Sequence, residues 1–126
     1  MLKKSLLAMG LCLPVLACAD VYLGSYQGYE YYLIASKTKA VTGTSKYEVE
    51  MERYVAKDIK KDGLGQGSYT VYRRYIDCAY KKVATISWHN YTKNHKLIEG
   101  EKVKHLKEYD IFPNSWGAAL YNEICR

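Results

Sequence analysis

Two neighbouring stretches, Ser68 to Cys78 (SYTVYRRYIDC) and Lys82 to Tyr91 (KVATISWHNY), are rich in Tyr, Val, Ile, Thr and Trp. Branched and aromatic side chains of this kind pack well on a pleated surface. Ala79, Tyr80 and Lys81 alone separate the two stretches, so they predict an antiparallel hairpin. Upstream, Tyr47 to Ala56 alternates: Tyr47, Val49, Met51 and Val55 face one way, and Glu48, Glu50 and Glu52 the other. A period of two over that length marks a half-buried strand. Asp20 to Gly24 and Tyr29 to Ile34 are shorter candidates, separated by a turn at 25–28. Residues 36–45 and 92–104 are polar and read as connections. Glu108 to Phe112 reads as a last short strand, ended by Pro113, which has no amide hydrogen for a ladder.

From Asn114 the period changes. Trp116, Ala119, Leu120 and Ile124 recur at i, i+3, i+4 and i+8, one face of a helix. Asn114 or Ser115 supplies the N-cap, its side-chain oxygen accepting a backbone amide hydrogen bond. The elements add up to an α+β domain over residues 20–126. It is a single antiparallel sheet of about five or six strands, packed by one C-terminal helix.

Residues 1–19 stand apart. Lys3 and Lys4 precede the apolar run Leu6 to Leu16 (LLAMGLCLPVL), and Ala17-Cys18-Ala19 fits the small-x-small pattern of a secretory cleavage site. The run is shorter than the roughly 20 apolar residues that span a bilayer. The expectation is an exported protein whose first mature residue is Asp20. Val15 to Cys18 also resembles a lipoprotein box, which would lipidate Cys18 and hold the chain at a membrane. A strand-like run begins at Val21 and leaves little tether for such an anchor, so release after Ala19 is the favoured reading.

Cysteine usage agrees with export. With Cys12 and Cys18 assigned to the leader, Cys78 and Cys125 remain, and in an oxidising compartment two thiols most simply form one disulfide. That bond would tie the helix to the end of a central strand.

Composition narrows the function. The 126 residues allow one domain, too little chain for a catalytic unit with a separate cofactor domain. Fourteen Tyr against a single Phe favour strands and half-wet surfaces. Without the leader the chain carries 17 basic and 13 acidic residues, a net of +4. This favours anionic surfaces without demanding nucleic acid.

Little points to chemistry at a site. His89, His95 and His105 lack the close spacing of a zinc site, and no metal or other cofactor is expected. Glu48, Glu50 and Glu52 read as a solvated ridge with no apolar surround to raise a carboxyl pKa. GLGQG at 63–67 lacks the Lys-Ser/Thr and the helix of a phosphate loop and reads as a flexible hairpin loop. Asn90-Tyr91-Thr92 matches a glycosylation sequon, of little weight in a bacterial-looking export context. No nucleophile and base sit at a recognisable spacing, so the chain reads as non-enzymatic.

The basic residues are better placed for binding. Arg73, Arg74, Lys81 and Lys82 lie on the hairpin with Tyr75 and Tyr80 among them. Lys57, Lys60 and Lys61 lead the glycine loop, and Lys93, Lys96, Lys102, Lys104 and Lys107 follow the hairpin. Tyr and Arg anchor protein interfaces, and lysine clusters attract anionic glycans or acidic loops. The hairpin set Arg73, Arg74, Tyr75, Tyr80, Lys81 and Lys82 is the candidate binding site. The rival readings are a periplasmic interaction or inhibitor-type protein and, more remotely, a small hydrolase.

The layout resembles a known family. It combines the Tyr-Tyr-Leu-Ile strand at 31–34, Ile76-Asp77-Cys78 with Tyr91 ending the next strand, Ile111 to Ser115 (IFPNS), and a helix closed by Cys125. From about Val21 to Cys125 this is similar to the surface-adhesin protein E family of Gram-negative bacteria. The resemblance implies an antiparallel sheet packed on a helix with the cysteine pair bridged, and a surface or periplasmic location. The namesake is an outer-membrane adhesin, a dimer that binds host matrix proteins such as vitronectin and laminin. The resemblance therefore implies a host matrix protein as partner and a homodimer as assembly. Fold is shared more widely than ligand in such families.

Overall fold

The computed structural model describes residues 20–56 and 65–126. The leader, Cys18 and the loop lysines at 57, 60 and 61 lie outside the described residues. The strands are β1 (Val21–Tyr26), β2 (Tyr29–Leu33), β3 (Lys39–Ala40), β4 (Lys46–Val55), β5 (Tyr69–Asp77), β6 (Lys82–Tyr91), β7 (Leu97–Lys102) and β8 (Tyr109–Asp110), followed by helix α1 (Trp116–Ile124). All belong to one curled antiparallel sheet in the order β1-β2-β4-β5-β6-β7. β3 lies end to end with β2 along β4, and β8 continues β7 along β6. The eight segments thus form six ribbons in sequence order. The α+β architecture expected from the sequence is the one observed.

The turns follow their residues. Gln27 and Gly28, at φ of 55° and 88°, close β1 onto β2 through the left-handed conformations of a tight hairpin. Two stretches depart from expectation, and the first, residues 36–45, read as a connection, contains the two-residue β3. Residues 92–104, read as a connection, contain β7. Every residue of β7 is exposed, so its sequence LIEGEK carries no buried period to betray a strand. Gly100 lies under the His89 ring of the neighbouring strand, which a Cβ there would have to displace.

The core sits between the sheet and α1. Leu33, Val49, Met51, Ile76 and Leu120 are essentially inaccessible, and Leu23, Tyr29, Tyr31 and Val55 complete the cluster. Val49, Met51 and Val55 are thus the apolar side of the alternation in β4. Ser115, not Asn114, caps α1, its Oγ accepting from the Ala118 N–H at 3.2 Å. At the other end Cys78 and Cys125 are bonded, with Cα atoms 5.4 Å apart. Tyr121 adds a parallel tie, its hydroxyl donating to the Cys78 carbonyl at 3.3 Å. No helix among the described residues is long and apolar enough to cross a membrane.

Arg74 overturns one expectation. Adjacent residues of a strand point to opposite faces, so Arg73 and Arg74 cannot share a surface. Register sets Arg74 opposite Val49, on the helix side, where it is 6% exposed. Its guanidinium lies 3.9 Å from the ring centres of both Tyr72 and Trp116, and Trp116 stacks in turn on Tyr31. Arg53 sits 4.0 Å from the Tyr29 ring centre. Neither arginine is paired with a carboxylate among the described residues, and the Nε of each has no hydrogen-bond partner. Burial pulls the Arg74 guanidinium down to about 10, which still leaves it charged at neutral pH. Aromatic faces take the place of a counter-ion.

Two outcomes follow for urea unfolding. Replacing a buried ion by an apolar side chain of similar size is commonly neutral or stabilising. Arg74→Met should therefore hold or raise stability, whereas Arg74→Ala, leaving a hole under Trp116, should cost about 2–5 kcal/mol. The double variant Cys78→Ser, Cys125→Ser should lose about 4 kcal/mol, the chain-entropy value for a loop of this length, and reductant should do the same to the native protein.

Candidate functional site

The β5–β6 turn is organised by Asp77. Its Oδ1 accepts from the Ser45 hydroxyl at 2.6 Å and from the Ala79 and Tyr80 N–H groups at 3.1 Å each. These bonds, the Ser45 hydroxyl foremost, hold the Asp77 carboxyl below its usual range. Lys81 closes the turn with φ of 54°, and its carbonyl accepts from the Ile111 N–H at 3.3 Å. That bond lays the segment after β8 alongside the turn.

The result is a corner of exposed aromatic and basic side chains. Tyr80 is 74% exposed, Phe112 67% and Tyr109 56%. The Lys81 Nζ is 5.6 Å from the Tyr121 ring centre, and the Lys107 Nζ 5.8 Å from that of Tyr109. Lys82 reaches Asp110 at 2.6 Å, and Lys46 reaches Glu108 at 3.1 Å. Of the expected set, Tyr80, Lys81 and Lys82 meet here. Tyr75 is half-buried on the sheet face away from α1, with the Lys46 Nζ 5.9 Å from its ring centre. Arg73 lies further along that face, ion-paired with Glu48. Arg74 is in the core.

Tyr109 and Phe112 were missed as surface residues. Their segment reads as a last short strand ended by Pro113, and the available signal was the absence of any apolar repeat around them. Lys93, Lys96, Lys102, Lys104 and Lys107 are exposed, as expected.

Toward the other end of the face away from α1, five tyrosines form a ladder across the sheet. Ring centres are 5.2 Å apart for Tyr22–Tyr32, 5.7 Å for Tyr32–Tyr54, 5.0 Å for Tyr54–Tyr69 and 5.2 Å for Tyr69–Tyr91. Tyr69 is buried in the stack and its hydroxyl bonds His95 Nδ1 at 2.8 Å. The histidines serve separate contacts, His89 over Gly100 and His95 on Tyr69. No group of three or more metal-ligating side chains converges among the described residues.

The glutamate ridge is not uniformly solvated. Glu48 is paired with Arg73, and Glu52, opposite Tyr32, accepts from the Tyr54 hydroxyl at 3.2 Å. Partial burial pushes the Glu52 carboxyl up, and the same burial pushes the Tyr54 phenol to about 12. The apolar surround missing from the linear sequence is supplied by tyrosines of neighbouring strands.

A pH signature isolates the Asp77 turn. A depressed folded pKa gives stability that is present above the unfolded value, about 3.9, and is lost as pH falls through the folded value. Asp77→Asn cannot titrate. The stability difference from wild type should be constant above about pH 4 and shrink below it, as read from urea midpoints across the acid range.

No protein-family model and no curated protein matches this chain. Its structure, however, is similar to solved structures of protein E from Haemophilus influenzae. One superposes with a TM-score of 0.53 at 9% identity, over 84% of this chain and 92% of the other. A second, from a non-typeable strain, gives 0.52 at 12% identity, over 85% and 84%. Agreement of shape at so low an identity speaks for the scaffold and leaves the surface residues free to differ. The chain has a protein E-like fold.

Proposed function

We propose that the chain is an exported, non-enzymatic binding module of adhesin type that contacts a host matrix protein through the corner of Tyr80, Lys81, Tyr109 and Phe112. On this reading residues 1–19 are a signal peptide, and the module acts outside the cytosol, in the periplasm or at the cell surface. The observation that carries it is the exposure of three large aromatics on two segments joined by the Ile111–Lys81 hydrogen bond. Exposed apolar patches mark contact surfaces, and aromatic side chains beside cations are the usual energetic anchors of such contacts. The likeness to protein E supports the reading at the level of scaffold.

The ion pairs of this face favour a protein over a glycan as partner. Arg73 and Lys82 are neutralised by Glu48 and Asp110, which weakens the corner for a polyanionic glycan. Aromatic area remains available, and it suits a protein partner.

Binding of the native chain to immobilised vitronectin, laminin and heparin tests this. Tyr80→Ala with Phe112→Ala should weaken matrix-protein binding by about 2 kcal/mol or more, the loss typical of an aromatic anchor. Both side chains are exposed, so folding should be preserved. Unchanged matrix binding in this variant removes the corner from the account. A heparin signal abolished by Lys81→Glu, with no matrix binding at all, would return the glycan as ligand.

A further inference from the structure

A groove of about 450 Å³ opens on the face away from α1, lined by Asp20, Glu30, Tyr32, Glu52, Tyr54, Val55 and Ala56. Its volume is within the usual range for ligand sites, roughly 300–1,000 Å³. Tyr54 is eight residues from Lys46 along β4, roughly 26 Å at the strand rise, so the groove is separate from the aromatic corner. The walls are aromatic: the Tyr32 and Tyr54 rings meet edge to face at 86°. Two carboxylates are set among them by phenols, Glu52 by the Tyr54 hydroxyl and Glu30 by that of Tyr22.

The charge pattern is the informative part. Elsewhere on this face Glu48, Glu108 and Asp110 each meet a cation, and Glu50 stands opposite Arg73 in the β4–β5 register. Among the described residues Glu30 and Glu52 meet none, and no lysine or arginine side chain lines the groove; the Asp20 carboxylate is offset by the α-amino group that leader removal would leave on the same residue. A chain of net charge +4 without its leader thus presents, among the described residues, a concave, aromatic spot of opposite sign. Ring faces and carboxylates both attract a cation, and the attraction grows as water is displaced.

We propose that this groove receives a lysine or arginine side chain presented by an extended segment of a partner protein. A small free amine would bury too little of itself in a groove open to solvent, since ligand sites normally cover most of a small ligand. A polypeptide adds contacts on either side of the bound side chain.

Calorimetry of the full chain with a peptide of alternating lysine and serine, and with its Nε-acetylated twin, tests the site. The lysine peptide should bind and the acetylated one should not. Glu30→Gln with Glu52→Gln should weaken binding at least about tenfold, the loss of two charge contacts of ordinary size. Glu99→Gln with Glu101→Gln, an identical change of net charge on exposed β7, should leave it within about twofold. No binding of the lysine peptide, equal binding of the two peptides, or equal loss in the two double variants would each overturn the proposal. Tyr80→Ala with Phe112→Ala should leave this titration unchanged, so the site stands or falls apart from the corner.

Discussion

Helix α1 is nine residues long, too short to persist in water without tertiary support. Yet it covers Leu33, Met51 and Ile76, none of which reaches solvent. The Cys78–Cys125 bond resolves this mismatch. It fastens the C-cap of the helix to the residue just after β5, while Ser115 organises the first turn. The helix is therefore defined at both ends by contacts that do not depend on its apolar face. Which face of the sheet is inside, and hence which side chains are left for binding, depends on that placement.

The interior it creates is unusual in its polarity. A sheet rich in tyrosine and poor in phenylalanine offers ring faces instead of plain hydrocarbon, and Arg53 and Arg74 use them. Each cation is held by electron-rich surfaces where an acid would ordinarily stand. Hydroxyl groups at the far ends of such rings also demand partners. On the opposite face Tyr22, Tyr54 and Tyr69 find them in Glu30, Glu52 and His95. The ladder is thus apolar along its length and polar along its rim.

Much of the architecture was legible in linear order. The alternation of Tyr47 to Val55 gave β4 and its inner face. The length of the Ala79–Lys81 link gave the hairpin, and the spacing of Trp116, Leu120 and Ile124 gave the helix. Failures have physical causes. β7 shows no alternation because neither of its faces is buried. Arg73 and Arg74 were grouped because they are adjacent, although adjacency in a strand means separation by the whole thickness of the sheet. The corner at Tyr80 was half visible, since Tyr109 and Phe112 arrive from a distant segment that the β8–β6 pairing and the Ile111–Lys81 hydrogen bond bring alongside. The groove was invisible, because it is assembled from Asp20, β2 and the end of β4, and its sign runs against the net charge of the chain.

The outermost ribbon has a consequence for how the molecule tolerates crowding. β7 carries Leu97 and Ile98 in the open and leaves one row of backbone groups unpaired, a template on which identical chains could stack. Glu99, Glu101 and Lys102 share the same short segment. Parallel in-register stacking would superpose each of these charges on its own copy, which opposes growth of a fibril at the margin where it would begin.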